Sequence, residues 1–211
     1  AFHQSDQTIA QLLINAHNQS IQAILITGTT LKSSQDAITL INKHPTSPIT
    51  LTCTAGVHPH DAKQWQPTTS ITHLTTLIQN NPQIIAIGEC GLDFTRTICP
   101  SDIQLKCFED QVALAVQLGM PLFLHERGAF TNFVEILSKY KGQNEGRGGV
   151  RGVVHNFVGT KEEAEVLVKM GLYIGVTGWV CDDKLSKSLG IFTVIPLDRI
   201  LIETDAPFKI P

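Results

Sequence analysis

His58, Glu89, His125, His155 and Asp205 each stand at the C-terminal end of a short apolar run, with intervals of 31, 36, 30 and 50 residues between them. Neutral imidazole and carboxylate are the ligand types of Zn²⁺, Mn²⁺ and Fe²⁺, and a site leaning more on carboxylate and water takes Mg²⁺. Each residue alone has a plain structural reading. A His at a strand end is most often a hydrogen-bonded packing residue, and Glu89 alone could pair with a neighbouring Lys or Arg. Asp205 before Ala-Pro starts turns well, and Arg127 alone reads as a surface ion-pair partner. Their recurrence at one edge argues for a shared divalent centre with Glu89, His125, His155 and Asp205 as its ligands. His58 and His60, separated by Pro59, fall at the same edge.

The elements that must position these side chains alternate. The apolar runs 21–27, 49–58, 83–89, 120–125, 152–157, 172–178 and 198–204 are rich in Ile, Val and Leu. Near-continuous apolar strands suit a parallel sheet covered on both faces. Helical patterns lie between them. Ile9, Leu12, Leu13 and Ala16 repeat at helical spacing within 5–18. Ser101 with Gln104, and Thr160 with Glu163, predict capping boxes. Gly119 and Gly171 fall just past predicted helices, where positive φ is wanted. Alternation of this kind gives right-handed crossovers and either a doubly wound open sheet or an eight-fold barrel. ITGTTLKSS after the first strand is no nucleotide-binding GxGxxG, which weakens the open sheet. The expected fold is therefore α/β, a (β/α)8 TIM barrel. It forms one domain over 1–211, with the first strand and the last helices missing from the ends; 143–149 reads as a loop. At the C-terminal face of such a barrel, side chains from several strand ends converge.

Composition narrows the function. Lys and Arg number 16 against 19 Asp and Glu, a net charge of −3. A protein that coats nucleic acid through a basic surface would be strongly positive, whereas a pocket gripping one end of a polyanion through a metal remains open. No apolar run approaches the ~20 residues of a membrane span, and the opening residues show no signal-peptide pattern. Five widely spaced cysteines with no CxxC point to reduced thiols and a cytoplasmic protein. His3, His17, His44 and His73 fall in or beside helical segments and are expected at the surface. Asp93 in GLDF fits either a supporting hydrogen bond to a ligand or a turn cap. Trp179 fits core or rim packing better than base stacking. Neither Cys90 nor Cys181 has a His beside it in sequence, and neither is expected to be a nucleophile.

AGVHPHD (55–61), IGECGLDF (87–94), PLFLHER (121–127), VVHNFVGT (153–160), IGVTGWVCD (174–182) and LIETDAPF (201–208) together resemble the TatD-type metal-dependent deoxyribonucleases of the amidohydrolase superfamily. The resemblance covers nearly the whole chain with the motifs in order. It implies a (β/α)8 barrel with Glu89, His125, His155 and Asp205 around the metal. Arg127 matches the family's HxR and would contact a substrate phosphate; His58 and His60 match its HPH and would line the pocket. The implied activity is hydrolysis of phosphodiester bonds of DNA, 3′→5′, single-strand ends first, with RNA as a further substrate and a monomeric enzyme. Asp205 would act as general base, and His58 or His60 would bind phosphate or protonate the leaving oxygen. The family's HxH pair at the end of its first strand has no counterpart, since His3 is followed two residues later by Ser5. One or two divalent ions per chain are therefore implied, Mg²⁺ with Mn²⁺ or Zn²⁺ as alternatives. A hydrolase of amides, lactones or phosphotriesters, and a barrel with a decayed site, are the other classes open. The first usually carries HxH and often a strand-end Lys, absent here; intact Glu89, His125, His155 and Asp205 argue against the second.

Overall fold

The computed structural model describes residues 8–142, 149–181 and 190–206. Strands β1 (Ala23–Ile26), β2 (Thr50–Ala55), β3 (Ile84–Asp93), β4 (Leu122–Arg127), β5 (Gly152–Val154), β6 (Tyr173–Val176) and β7 (Ile200–Ile202) form one sheet in chain order. Every neighbouring pair is parallel. Helices α1 (Ile9–Asn18), α2 (Leu31–Asn42), α3 (Pro67–Asn80), α4 (Ser101–Leu118), α5 (Phe130–Lys139) and α6 (Lys161–Lys169) punctuate the strands. The sheet curls on itself, and the class is the expected (β/α) barrel. None of the described helices is long and apolar enough to cross a membrane.

Each apolar run becomes a strand because the helices cover it. Phe108 of α4 stacks on Phe133 of α5 with ring centroids 5.1 Å apart, and both are fully buried. Leu92, Leu122, Leu124, Leu167, Leu172 and Ile174 fill the same core. The helix signals hold at α6, where Thr160 and Glu163 cap each other's backbone N–H groups, and at Gly119, whose φ is +65°. They fail at α4. Ser101 is the first helical residue, not the cap, and Pro100 before it offers no side-chain acceptor. Gln104 turns inward instead. Its Oε1 accepts from the Asp93 N–H at 2.8 Å, and its Nε2 donates to the Asp93 and Cys99 carbonyls at 3.0 and 2.8 Å. Satisfying two buried strand-end peptide groups outweighs one exposed capping bond. Gln111, two turns further along the same helix, does likewise for Val57. One face of α4 thus fixes both the segment before His58 and the end of β3.

Candidate metal centre

β3 is the element on which the site depends. Ile87 pairs with Leu122 but Cys90 with Leu124, so one extra residue is inserted at 88–89. A bulge of this kind re-aims a side chain, and here the residue is Glu89, which is 7% exposed. The glycines on either side permit it. Gly88 and Gly91 have φ of +143° and +152°, and a Cβ on Gly91 would lie 1.8 Å from the His125 carbonyl oxygen. The Glu89 N–H donates to the Gly28 carbonyl at 2.7 Å, tying the bulge to the end of β1.

Three imidazoles close on Glu89 Oε1: His155 Nε2 at 2.7 Å, His125 Nδ1 at 3.0 Å and His58 Nε2 at 3.4 Å. His125 Nδ1 and His155 Nε2 are 3.4 Å apart. The rings come from the ends of β4 and β5 and from the turn after β2, where His58 opens a 3₁₀ turn over Pro59–Gln64. His60, in that turn, places Nε2 2.8 Å from Asp93 Oδ2. Asp93 Oδ1 accepts from the Thr95 N–H and hydroxyl, so this residue both caps its turn and steadies an imidazole.

Burial and charge oppose each other throughout. Burial pushes the Glu89 carboxyl up, but hydrogen bonds from His125, His155 and His58 and the His155 charge hold it well below the usual carboxylate range. Burial would lower His155, yet Glu203 and Glu89 raise it to about 9. His58 is lowered because burial outweighs its attraction to Glu89. Burial pushes Asp93 up as well, and His125, Thr95 and His60 more than reverse it.

These residues fit a divalent ion. A carboxylate oxygen offers about two acceptor positions, yet Oε1 meets three ring nitrogens. His58, Glu89 and His125 present ligand atoms all within 4.8 Å of one another. His125 Nε2 is buried with no hydrogen-bond partner, 3.6 Å from Asp93 Oδ2. A crowded donor set with an orphaned nitrogen is what a cation relieves.

Of the expected site residues, Glu89, His125, His155 and His58 come together, with His60 beside them. Asp205 is one step removed. It adopts φ of +54°, and its Oδ2 accepts from Asn156 Nδ2 at 2.8 Å. Arg127 turns its fork onto two carbonyls, with Nη1 on Glu126 and Nη2 on Asn156, each at 2.6 Å. Two residues escaped the sequence reading. Glu203 accepts from the Asn156 N–H and sets Oε2 3.7 Å from His155 Nδ1. Asn156, at φ of +44°, joins Asp205 to the Thr177 hydroxyl. The available signal was position: Glu203 lies two before Asp205, and Asn156 directly follows His155. Trp179 is buried in the core cluster and stacks against Phe192. Cys90 is buried, and His17 and His73 are exposed; His44 is half-buried, and His3 lies outside the described residues.

The chain is 40% identical over 209 residues to the "3'-5' ssDNA/RNA exonuclease TatD" of Pectobacterium parmentieri, covering 99% of this chain and 76% of that protein. The protein of the same name from Escherichia coli K12 is 40% identical over 197 residues, with 93% and 72% covered. Among solved structures, a TatD family hydrolase from Entamoeba histolytica superposes with a TM-score of 0.83 at 30% identity, covering 98% of this chain and 69% of that one. An uncharacterized amidohydrolase from Saccharomyces cerevisiae gives 0.81 at 27% identity, covering 95% and 68%. The family model described as TatD related DNase matches residues 1–211, and the chain belongs to that family.

Proposed function

We propose that this chain is a metal-dependent nuclease that hydrolyses phosphodiester bonds from the 3′ end of single-stranded DNA, with RNA as a further substrate. The observation that carries this reading is the convergence of His58, His125 and His155 on one oxygen of Glu89, with His125 Nε2 buried and without a hydrogen bond. The similarity to proteins named as 3'-5' ssDNA/RNA exonucleases supports the substrate class and polarity. Glu89, His125, His155 and Asp205 hold the ion. Mg²⁺ is the physiological choice, with Mn²⁺ or Zn²⁺ as substitutes, one or two per chain. When bound, the ion supplies a more acidic water and offsets phosphoryl charge.

The chain's own groups do the rest. Asp205 takes the proton from the attacking water. Arg127, permanently charged and half-buried near Glu89 and Asp205, stabilises the charge that builds on the phosphoryl oxygens. His58 binds phosphate. His60, paired with Asp93, either does the same or passes a proton to the departing oxygen. Residues 1–211 act as one hydrolase domain and as a monomer. The five unpaired cysteines fit the reducing cytoplasm.

The test is digestion of 3′- and 5′-labelled oligonucleotides, single- and double-stranded, across Mg²⁺, Mn²⁺ and Zn²⁺ with an EDTA control. Ladders shortening from the 3′ end, lost with EDTA, are expected. Asp205→Asn should lower the rate by two or more orders of magnitude; wild-type rates in that variant would remove Asp205 from the mechanism.

A further inference from the structure

A second cleft opens on the same side of the sheet as the His–Glu cluster and shares Asp93 with it. Lys63 of the 3₁₀ turn forms one wall, and Phe94 and Arg96 of the loop between β3 and α4 form another. Its volume is about 330 Å³, at the lower end of the ~300–1,000 Å³ of small-ligand sites and suited to a single nucleotide.

The charge of this cleft is unspent. Lys63 and Arg96 are exposed and form no side-chain ion pair or hydrogen bond among the described residues. Arg127, by contrast, has both terminal nitrogens on backbone carbonyls. The one carboxylate in the wall, Asp93, is already engaged by His60 and Thr95. Asp61 and Asp102 stand nearby without lining the cleft, and Asp61 accepts from Gln64. The floor is the start of α4, where Pro100 leaves the first-turn N–H groups without a side-chain cap. Such groups add to an anion's attraction once cations have drawn it there.

We propose that this cleft is a subsite for a phosphate of the nucleic-acid strand next to the bond that is cut. Lys63 and Arg96 are its ligands, and Phe94 is the apolar wall for the attached nucleoside. The inference rests on the nuclease reading above. It accounts for how a chain of net charge −3 holds a polyanion: two uncommitted cations line a cleft that borders the candidate metal centre through Asp93, while the remaining surface need not be basic. A phosphate seated here would set how far the strand end reaches towards Glu89 and His125.

The experiment is salt-dependent binding of a fluorescein-labelled single-stranded oligonucleotide in EDTA, followed by anisotropy, for wild type and the Lys63→Ala/Arg96→Ala double variant. Catalysis is silent under these conditions, so the outcome does not depend on whether the nuclease digests anything. Each phosphate contact to a single strand contributes about 0.7 to the slope of log K against log salt. The double variant should bind roughly tenfold or more weakly at low salt, with a slope shallower by about 0.7. Arg96→Lys in the presence of Lys63 should restore most of the slope. A Mn²⁺ titration and a thermal melt matching the wild type would show that the fold and the metal centre are intact. An unchanged slope, or a wild type that does not bind the oligonucleotide, overturns the subsite. Failure of the labelled-end digestion with the slope difference intact overturns the nuclease reading alone.

Discussion

Replacing Gln111 by Met removes one side chain's hydrogen bonds while nearly preserving its shape. Gln111 is fully buried on α4. Its Oε1 accepts from the Val57 N–H at 2.8 Å and its Nε2 donates to the Val57 carbonyl at 3.0 Å. Val57 is 3% exposed, so water cannot replace either bond. Each stranded buried group costs about 1–3 kcal/mol, partly offset because the amide itself no longer needs burying. A net loss of about 3 kcal/mol is expected, a fall in Tm of about 6–12 °C for a chain of this size. Urea unfolding in EDTA measures it without contribution from bound metal. A second consequence is local. Val57 precedes His58, whose Nε2 stands 3.4 Å from Glu89, so Mn²⁺ affinity measured by calorimetry should fall as well. Leu74→Ala in α3 supplies the comparison: it deletes a fully buried side chain at a similar cost of about 2–5 kcal/mol, yet should leave Mn²⁺ affinity unchanged. A loss below about 1 kcal/mol for Gln111→Met, or equal effects of both variants on metal binding, would refute the claim that α4 positions His58 through Val57.

Gly91→Ala places a Cβ 1.8 Å from the His125 carbonyl at φ of +152°; the β3–β4 pairing must open, costing at least about 3 kcal/mol, and a soluble protein with wild-type Tm would contradict the bulge geometry. Added Mn²⁺ at a hundredfold excess over its Kd should stabilise the wild type by about 2.7 kcal/mol, and Glu89→Gln should abolish most of that shift in a thermal melt. Thiol titration with a disulfide reagent at pH 8 should find one fast group in the native protein, because Cys181 is exposed while burial pushes Cys53 up to about 11 and Cys107 to about 12; five fast groups without denaturant would show that the core is open.

What the residues disclose in advance, and what they do not, follows from which forces are local. The strand at 120–125 is legible because five of its six residues are apolar or begin a β pattern, and β4 is found at Leu122–Arg127. The run at 83–89 is only half of β3, which continues to Asp93. The glycines and Glu of GECG are poor strand formers; the segment is held in the sheet by β4, where Cys90 pairs with Leu124 and Gly91 with His125, partners remote in sequence. Gln104 shows the same limit from the other side. Three residues after Ser101 it has the spacing of a capping partner, and only the buried Asp93 peptide, reached across the fold, explains why it turns away.

The candidate site divides along the same line. Position at the ends of apolar runs picks out Glu89, His125, His155 and His58 without any knowledge of their contacts, because a parallel sheet delivers the C-terminal parts of its strands to one face, although Glu89 and His125 prove to lie inside β3 and β4. Their roles are decided by what lies between them. Glu89 reaches the three imidazoles because a bulge bordered by Gly88 and Gly91 redirects it. His155 is bracketed by Glu89 on one nitrogen and Glu203 beyond the other. Glu203 in turn needs the bare backbone of Gly175, where a Cβ would stand 2.5 Å from its Oε1. No spacing rule in the sequence encodes that chain of dependence. It follows that Gly175→Ala should disturb the centre through the displaced Glu203 carboxylate and not through any direct contact with substrate, read as a weaker Mn²⁺ affinity by calorimetry.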